Sequence, residues 1–371
     1  MKLPANDYLE RYAGKLTWLA HWLLAMILSG WVLAAFLLHW SLLDGAPRNS
    51  LALYLDSQAH RPFAYRVLAP ALVRAVDGAL PASIQVFLAD EIAPKFHARY
   101  VEPLKSEYEV TLPGITARAD ADWSQPRYRR AYVLMVALMW GALTGALVLI
   151  RRAAWVLGKN ALRADAITLL YALILPTMFL NGGYFYDFTE QLGAAALIVC
   201  VLESRWTFAL ATLLLMQANK ETALLMTLFL APYAWDRMRW RMWPSLIGAL
   251  LLCLAMLMWV RWAYSHLPGL PVEWHLAQNL EFWSRASSWT DVENFYAANL
   301  ALPRMSYLYF SAATLIWGLY KEVTPTFIAA VSALFILAGL LLTMGYQDEF
   351  RNLSLATPFL VLLMSEPRQK R

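Results

Sequence analysis

The twenty residues 131–150, AYVLMVALMWGALTGALVLI, contain no charged side chain and decide the fold of this chain. An α-helix rises about 1.5 Å per residue, so this run would extend about 30 Å, the thickness of the hydrocarbon core of a bilayer. Further apolar runs follow along the 371 residues. The sequence therefore predicts an integral membrane protein built from transmembrane helices.

The overall composition supports the same class. Hydrophobic residues make up 60% of the chain and charged residues 15%, whereas soluble proteins are about 45–50% apolar and about 25% charged. The ten-residue alternation of apolar and polar positions that marks membrane β-strands is absent, which favours an all-α fold. The two cysteines, Cys200 and Cys253, both lie in apolar runs, and this placement does not indicate a disulfide framework.

Counting the apolar runs gives about ten predicted spans. The first is too long for a signal-peptide core and is expected to remain as a span. Several runs are shorter than about 17 residues, and such helices persist in lipid only beside protein or a water-filled cavity. We therefore expect a cavity that opens toward the outer side. Besides 131–150, the predicted spans are 16–43, 166–180, 192–202, 206–218, 222–235, 245–264, 307–320, 327–344 and 353–364.

The net charge of +5 comes from basic residues that cluster in short loops between apolar runs. This is the positive-inside pattern, which places those loops and both termini in the cytoplasm and argues against nucleic-acid binding. The chain is then one transmembrane domain, 1–371, with large outer loops at 44–130 and 265–306. Two amphipathic helices, near 65–80 and 83–100, are expected to lie on the membrane surface or against the bundle.

Charged residues close to membrane spans are costly, so each is a candidate functional residue. The first candidates follow span one, where Asp44 and Asp56 precede the stretch RPFAYRVLAP, residues 61–70. A carboxylate here could act as a general base, while Arg66 binds a phosphate group. The alternative is a solvated loop in which Arg61 and Arg66 extend toward lipid headgroups.

The second candidate segment is YFYDFTEQ, residues 184–191, at a predicted outer junction between helices. Tyr186, Asp187 and Glu190 could bind a sugar, because aromatic rings stack on pyranose C–H groups and carboxylates accept bonds from hydroxyls. The alternative is an interfacial aromatic belt with acids that cap a helix.

Two further segments carry charges. Lys220, between two half-length apolar runs, could face an anionic phosphate with Glu221 as its neutralising partner, or the pair could simply hold the hinge. Arg261 lies near the outer end of its predicted span, and Arg351 follows two acids at the last outer turn. Both arginines could instead be ordinary surface charges.

Metal and nucleotide motifs are not evident in the sequence. The six histidines show no H-E-x-x-H spacing, and glycine-rich phosphate loops are absent. The cofactor therefore stays unknown. A single divalent cation held by two carboxylates is an open alternative.

In order, these features resemble the GT-C superfamily of membrane glycosyltransferases, in which a large outer loop with the catalytic acid follows the first span. The stretch RPFAYRVLAPALVRAV, residues 61–76, looks like the segment after that acid in an uncharacterised bacterial branch. NKETALL, 219–225, is similar to the branch's Arg-Glu-Thr motif, and EFRNLSLATP, 349–358, to its closing Glu-x-Arg segment. Two departures are Lys220 in place of the arginine and the lack of an acidic pair directly after span one.

The resemblance implies a transferase that takes a sugar from a polyprenyl-phosphate donor on the non-cytoplasmic side of the membrane. Asp56, or alternatively Asp44, would deprotonate the acceptor hydroxyl. The departing lipid phosphate would be stabilised by Arg66, Lys220 and Arg261. Substrate binding falls to Tyr186, Asp187, Glu190, Glu221 and Arg351. Compact loops suggest a bacterial inner membrane with the site facing the periplasm; the acceptor, whether glycan, lipid or protein, is not identified.

Three other functions fit parts of the sequence. A lipid-linked glycan flippase or transporter would explain broken helices and buried charges, although no inverted repeat is evident and the long first outer loop is unusual for it. A polysaccharide polymerase or ligase would use the later loop, 265–306. A non-catalytic subunit of a membrane complex is favoured if Asp56 and Arg66 do not share a cavity.

Overall fold

The computed structural model describes residues 5–42, 48–105, 120–180, 182–295, 300–320 and 323–366. It is about 81% helical, and this content confirms the predicted all-α membrane class. Asp44, the alternative base, lies outside the described residues.

Seventeen helices and one hairpin can be delimited within those ranges. The helices are α1 (Ala5–His39), α2 (Leu51–Leu55), α3 (Leu68–Ala79), α4 (Ala82–Phe87), α5 (Ala93–Phe96), α6 (Pro126–Gly158), α7 (Ala161–Met178), α8 (Phe185–Leu202), α9 (Trp206–Asn219), α10 (Met226–Phe229), α11 (Ala231–Met238), α12 (Met242–Ala263), α13 (Leu276–Ser284), α14 (Ala286–Thr290), α15 (Ser306–Leu319), α16 (Pro325–Met344) and α17 (Thr357–Leu363). Strands β1 (Val292–Phe295) and β2 (Leu300–Pro303) pair antiparallel.

Six of the described helices are long and apolar enough to cross a membrane, namely α1, α6, α7, α8, α12 and α16. The protein is therefore an integral membrane protein. The remaining predicted spans coincide with shorter helices; α9 and α15, for example, have 14 residues each. The total of ten spans stays a prediction.

The helical run after α9 is interrupted at the predicted hinge. Lys220 has an extended backbone, with φ −159° and ψ 137°, and a 3₁₀ turn, Glu221–Leu225, leads from it into α10. An extended residue cannot continue the helical hydrogen-bond ladder, so the chain changes direction here. The interruption places charged side chains beside the N-terminus of α8.

Helices α6 and α8 form the centre of the bundle, with α1, α3 and α7 packed against α6 and α9 against α8. Gly193 allows the last contact, because a Cβ atom there would lie 2.3 Å from Cγ of Met216. Ser29 and Thr144 join α1 to α6 through a 2.7 Å hydrogen bond between their hydroxyls. This packing leaves α8 almost wholly enclosed, including its polar N-terminal residues.

Both amphipathic segments of the first outer loop are helical. Helix α3 buries Ala69 and Val73 against the bundle but leaves Leu72 and Val76 exposed. The second segment runs as continuous helix from α4 through α5 to residue 105, with π-helical turns at Leu88–Ile92 and His97–Val101. Their placement at the membrane surface stays a prediction.

The loop predicted at 265–306 contains α13, α14 and the hairpin, and it contacts the loop predicted at 44–130. The backbone N–H of Arg61 donates to the carbonyl of Pro268 at 2.8 Å. The two loops are therefore joined beside the segment that carries Arg66.

Candidate functional site

Four segments that are distant in sequence meet at the N-terminus of α8. They are the turn after Phe63–Tyr65, the first residues of α8, the interruption after α9, and the start of the 3₁₀ turn Phe350–Ala356. Together they form what we call the polar cluster, which consists of Arg66, Tyr186, Asp187, Glu190, Lys220, Glu221, Glu349, Arg351 and Ser354. The structure therefore brings six other candidate residues together with Arg66, namely Tyr186, Asp187, Glu190, Lys220, Glu221 and Arg351. The described candidates Asp56 and Arg261 lie outside the cluster.

Arg66 is buried and bridges two of these segments. Its guanidinium donates to the hydroxyl of Tyr186 and, at 3.4 Å, to Oε1 of Glu221. The guanidinium carbon lies 4.3 Å from the centre of the Tyr186 ring. The backbone N–H of Val67 donates to the carbonyl of Ala218 at 2.9 Å, which fixes the Arg66 segment against the end of α9.

Arg351 approaches the same tyrosine from the other end of the chain. Its Nη1 donates to the hydroxyl of Tyr186 at 3.2 Å, and its Nη2 donates to Glu349 at 3.1 Å. Its guanidinium carbon lies 4.2 Å from the centre of the Tyr184 ring, which stacks on the Tyr186 ring at 5.2 Å. One phenol oxygen therefore accepts bonds from two buried arginines.

Both arginines retain an unused donor. The Nε atoms of Arg66 and Arg351 are buried, and neither has a hydrogen-bond partner within the described residues. A buried N–H without an acceptor carries a substantial desolvation cost, so such groups call for an explanation such as a ligand or a water molecule. Each of the two donors is therefore a candidate to bind an oxyanion.

Lys220 is only 3% exposed, and its ammonium lies between two carboxylates. Nζ donates to Asp187 at 3.2 Å and to Glu190 at 2.9 Å. Glu190 also accepts hydrogen bonds from the hydroxyls of Thr222, at 3.1 Å, and Ser354. The charge of Lys220 is thus balanced inside the protein.

The predicted pairing of Lys220 with Glu221 is wrong. Lys220 pairs with Asp187 and Glu190, whereas Glu221 pairs with Arg66. The extended backbone at Lys220 explains the difference, because successive side chains of an extended segment point to opposite sides. Lys220 and Glu221 are adjacent in sequence but therefore pair with different residues of the cluster.

The cluster contains three cations, Arg66, Lys220 and Arg351, and four carboxylates, Asp187, Glu190, Glu221 and Glu349. Asp187, Glu190 and Lys220 are almost completely enclosed, and charges so buried are stable only in such close pairs.

Asp56 lies apart from the polar cluster. It caps the C-terminus of α2, its side chain is 53% exposed, and its carboxylate lies 3.0 Å from the guanidinium of Arg127, which is 56% exposed. A cavity of about 10 Å³, room for one water molecule, lies between neighbouring Ser57 and Arg66, but Asp56 does not line it. No described contact or cavity joins the candidate base to the arginines, and this separation favours the non-catalytic subunit among the alternatives.

Arg261 lies next to the cluster without entering it. Its guanidinium carbon is 5.7 Å from the ring of Tyr65, the residue before Arg66. Its buried Nε has no hydrogen-bond partner among the described residues.

The sequence patterns did not indicate the uncharged residues that hydrogen-bond within the polar cluster. The amide of Asn219 donates to the carbonyl of Tyr186 at 2.8 Å and accepts from Thr189 at 2.6 Å. Thr222 and Ser354 bind Glu190, as described above. Three of these four residues belong to the motifs NKETALL and EFRNLSLATP, so polar residues inside those motifs were the available signal.

A glycine brings the backbone close to Arg351. Gly182 has φ +140°, a conformation that side chains rarely permit, and a Cβ atom there would lie 3.4 Å from Nε of Arg351 and from Oε1 of Glu349. The lack of a side chain at Gly182 therefore lets the turn between α7 and α8 pack directly against Arg351.

An apolar groove of about 420 Å³ lies between α8, α9, α10, α11 and α12. Its walls include Leu197, Leu213, Met226, Leu230 and Leu252. Met226 follows Glu221 by five residues, so the groove begins close to the polar cluster along the chain. Its shape and chemistry suit a hydrocarbon chain.

Within the part of the chain that the structure describes, no group of three histidine, cysteine, aspartate or glutamate side chains could hold a metal ion. Comparison with known proteins adds no assignment: no protein-family model, curated protein or solved structure matches this chain.

Proposed function

We propose that this protein is a GT-C-like glycosyltransferase that moves a sugar from a polyprenyl-phosphate donor to an acceptor. It would lie in a bacterial inner membrane with both termini in the cytoplasm and its site facing the periplasm. The observation that carries the proposal is the meeting of Arg66 and Arg351 on Tyr186, each with an unused, buried Nε donor.

The donor has two parts, and each has a counterpart in the protein. A sugar-bearing phosphate needs planar donors that can bind two oxygens, which guanidinium groups supply. The polyprenyl chain needs an apolar surface in contact with lipid, which the groove beside Met226 supplies. The presence of both features in one protein supports a lipid-linked substrate over a free anion.

In the proposed reaction, a base removes the proton from the acceptor hydroxyl while its oxygen bonds to the anomeric carbon of the sugar. The bond between that carbon and the phosphate oxygen breaks, and the phosphate departs with the electron pair. Arg66 and Arg351 would stabilise the charge that develops on the phosphate. Arg261, with its unused Nε beside Tyr65, would serve as a third ligand on the α12 side.

Lys220 would act through its neighbours. Because Asp187 and Glu190 already balance its charge, we assign it to positioning the start of α8, and with it Tyr186 between the arginines. Sugar hydroxyls would be bound at the Glu221 edge of the cluster, where Oε2 has no partner within the described residues. Tyr186, Asp187 and Glu190 are buried and would stabilise the position of Glu221 from the interior of the cluster.

Asp56 remains the proposed base. Its exposure suits an acceptor that enters from the outer side, and the acceptor would have to displace Arg127 from the carboxylate. This arrangement makes Arg127 a matched control, because its substitution breaks the same ion pair without removing the base.

Transfer of radiolabelled sugar from a panel of polyprenyl-phosphate hexoses, measured in proteoliposomes with the full-length protein and a membrane extract as acceptor source, tests the proposal. We expect transfer by the wild type and by Arg127→Gln, and loss of transfer by Asp56→Asn and Arg66→Gln. Undiminished transfer by Asp56→Asn would exclude this residue as the base. Absence of transfer from every donor by the wild type would contradict the transferase.

A flippase for lipid-linked glycans is the second candidate. The interruption at Lys220 between two half-length helices favours it, because transporters place broken helices and paired charges at their substrate sites. Movement of a fluorescent polyprenyl-phosphate lipid between the leaflets of proteoliposomes, without sugar transfer, would favour this candidate over the enzyme.

A further inference from the structure

A second group of charged side chains lies at the opposite end of the bundle from the polar cluster. Helices α1 and α7 end together beside that cluster, where the indole of Trp40 donates to the carbonyl of Phe179 at 2.6 Å. Asp165 lies thirteen residues before the end of α7, about 20 Å away along the helix. Arg151 and Arg152, in the C-terminal part of α6, lie at the same level of the bundle as Asp165.

Arg151 joins three helices at this end. Its Nε donates to Asp165 of α7 at 2.6 Å, and its Nη2 lies 2.7 Å from Nε2 of His21 of α1. Nη1 has no partner among the described residues, and the side chain is partly exposed. The arginine is thus held in one orientation and retains a donor that faces outward.

Three other basic residues lie near this end of the bundle. Arg152, which is half exposed, donates to Glu203 at 2.7 Å and lies 5.1 Å from the ring of Trp155. The ammonium of Lys159 lies 4.7 Å from the same ring, and Arg205 also pairs with Glu203. Arg151 therefore pairs with Asp165, and Arg152 and Arg205 share Glu203.

A groove of about 480 Å³ opens beside these charges, between α1, α6 and α7. We call it the basic groove. Its charged side is lined by His21, Arg151, Arg152 and Asp165, and its apolar side includes Trp18, Trp22, Leu24, Val148 and Trp155. Trp18 is 62% exposed and belongs to the membrane-spanning part of α1. Tryptophan and arginine side chains together are typical of the level of lipid headgroups.

We propose that the basic groove binds an anionic phospholipid of the surrounding bilayer, with its phosphate on Arg151 and Arg152 and one acyl chain along Leu24 and Val148. The groove is lined by two arginines and one carboxylate, and this balance favours a headgroup with net negative charge, because a zwitterionic headgroup would bring its own ammonium next to the arginines. The apolar wall favours a lipid over free phosphate, which would contact the charged rim alone. Basic pockets between transmembrane helices are the usual sites for such headgroups.

The proposal does not depend on the function of the polar cluster, so its test uses binding alone. The full-length protein in detergent micelles would be titrated with phosphatidylglycerol or phosphatidylcholine of identical acyl chains, and bound lipid counted by native mass spectrometry. We expect the wild type to retain one phosphatidylglycerol at least about fivefold more tightly than phosphatidylcholine, because each nearby basic residue strengthens anionic lipid binding by about that factor. Excess inorganic phosphate should not displace the lipid.

Substitutions locate the site. Arg151→Gln and Arg152→Gln should each weaken phosphatidylglycerol retention about fivefold and leave phosphatidylcholine retention unchanged. Arg152→Gln preserves the contacts of Arg151 with His21 and Asp165, so its effect does not rest on damage to the fold. Arg285→Gln, which removes an exposed, paired arginine in the later outer loop, is the matched control and should bind as the wild type does.

Three results would overturn the proposal. They are equal retention of the two lipids, wild-type retention of phosphatidylglycerol by both groove variants, and displacement of the lipid by inorganic phosphate. The last result would identify a site for free phosphate instead.

Discussion

The polar cluster and the basic groove are built from the same materials at opposite ends of one helix bundle. In both, basic side chains pair with carboxylates from other segments of the chain. They differ in burial: Lys220, Asp187 and Glu190 are almost completely enclosed, whereas Arg151 and Asp165 are partly exposed. A buried charge that loses its partner is far more costly than an exposed one. Burial, and not the number of ion pairs, therefore determines what each region contributes to stability.

The largest expected effect is that of Lys220→Met. It leaves the carboxylates of Asp187 and Glu190 buried without their cation, which should lower the free energy of unfolding by about 3–5 kcal/mol. Unfolding in mixed micelles with increasing dodecyl sulfate would measure the change. Lys159→Met, at an exposed lysine directly after α6, is the control and should have little effect. A loss below about 1 kcal/mol for Lys220→Met would remove the distinction between the two regions.

Gly182→Ala should have the next largest effect. Its φ of +140° strains any side chain, and the new Cβ would press on Arg351, so we expect a loss of about 1–3 kcal/mol in unfolding free energy. Sugar transfer should fall as well, because Arg351 is displaced. Gly339→Ala, on α16 with open space around the new Cβ, is the matched control and should leave transfer unchanged. Equal behaviour of the two variants would contradict the close packing of the turn over Arg351.

Asp165→Asn tests the basic groove in the same way. Because Arg151 and Asp165 are partly exposed, loss of this pair should cost about 1 kcal/mol, as measured by the same unfolding titration. The variant should also bind phosphatidylglycerol at least as tightly as the wild type does, since it removes a negative charge from the rim. A cost as large as that of Lys220→Met would show that the groove is a structural core and not an accessible site.

The smallest effect on stability is expected for Asp56→Asn. Asp56 and Arg127 are both about half exposed, so the unfolding free energy should change by less than about 0.5 kcal/mol. A double-mutant cycle with Arg127→Gln would measure their coupling directly. A small change in stability, combined with complete loss of transfer, would separate the role of Asp56 in the reaction from any role in the fold.

Apolar run length predicted much of this fold. The run 131–150 lies inside α6, and the other long runs also coincide with helices, because a segment in lipid must satisfy its own backbone hydrogen bonds. The short runs were less informative. Helices such as α9 and α15 are too short for apolarity alone to establish whether they cross the membrane.

The sequence singled out most residues of the polar cluster, but not which of them pair with each other. Charges in otherwise apolar surroundings identified Arg66, Lys220 and Arg351, which lie together in the polar cluster. The partner of Lys220 could not be predicted, because one extended residue directs it away from Glu221. The basic groove escaped prediction for a related reason: His21 and Asp165 are 144 residues apart, and only the packing of α1 on α7 brings them together.

Helix α6 also sets a depth scale for the whole molecule. Arg130 pairs with Asp77 of α3 at 2.8 Å, and Arg151 pairs with Asp165 at the start of α7. The two arginines are 21 residues apart, about 31 Å along the helix, which equals the hydrocarbon thickness of an average bilayer. In such a bilayer α6 can stand upright, with α3 level with one interface and the start of α7 with the other. A thinner bilayer would force α6 to tilt and would carry α3, with the Arg66 segment behind it, to a different height above the lipid.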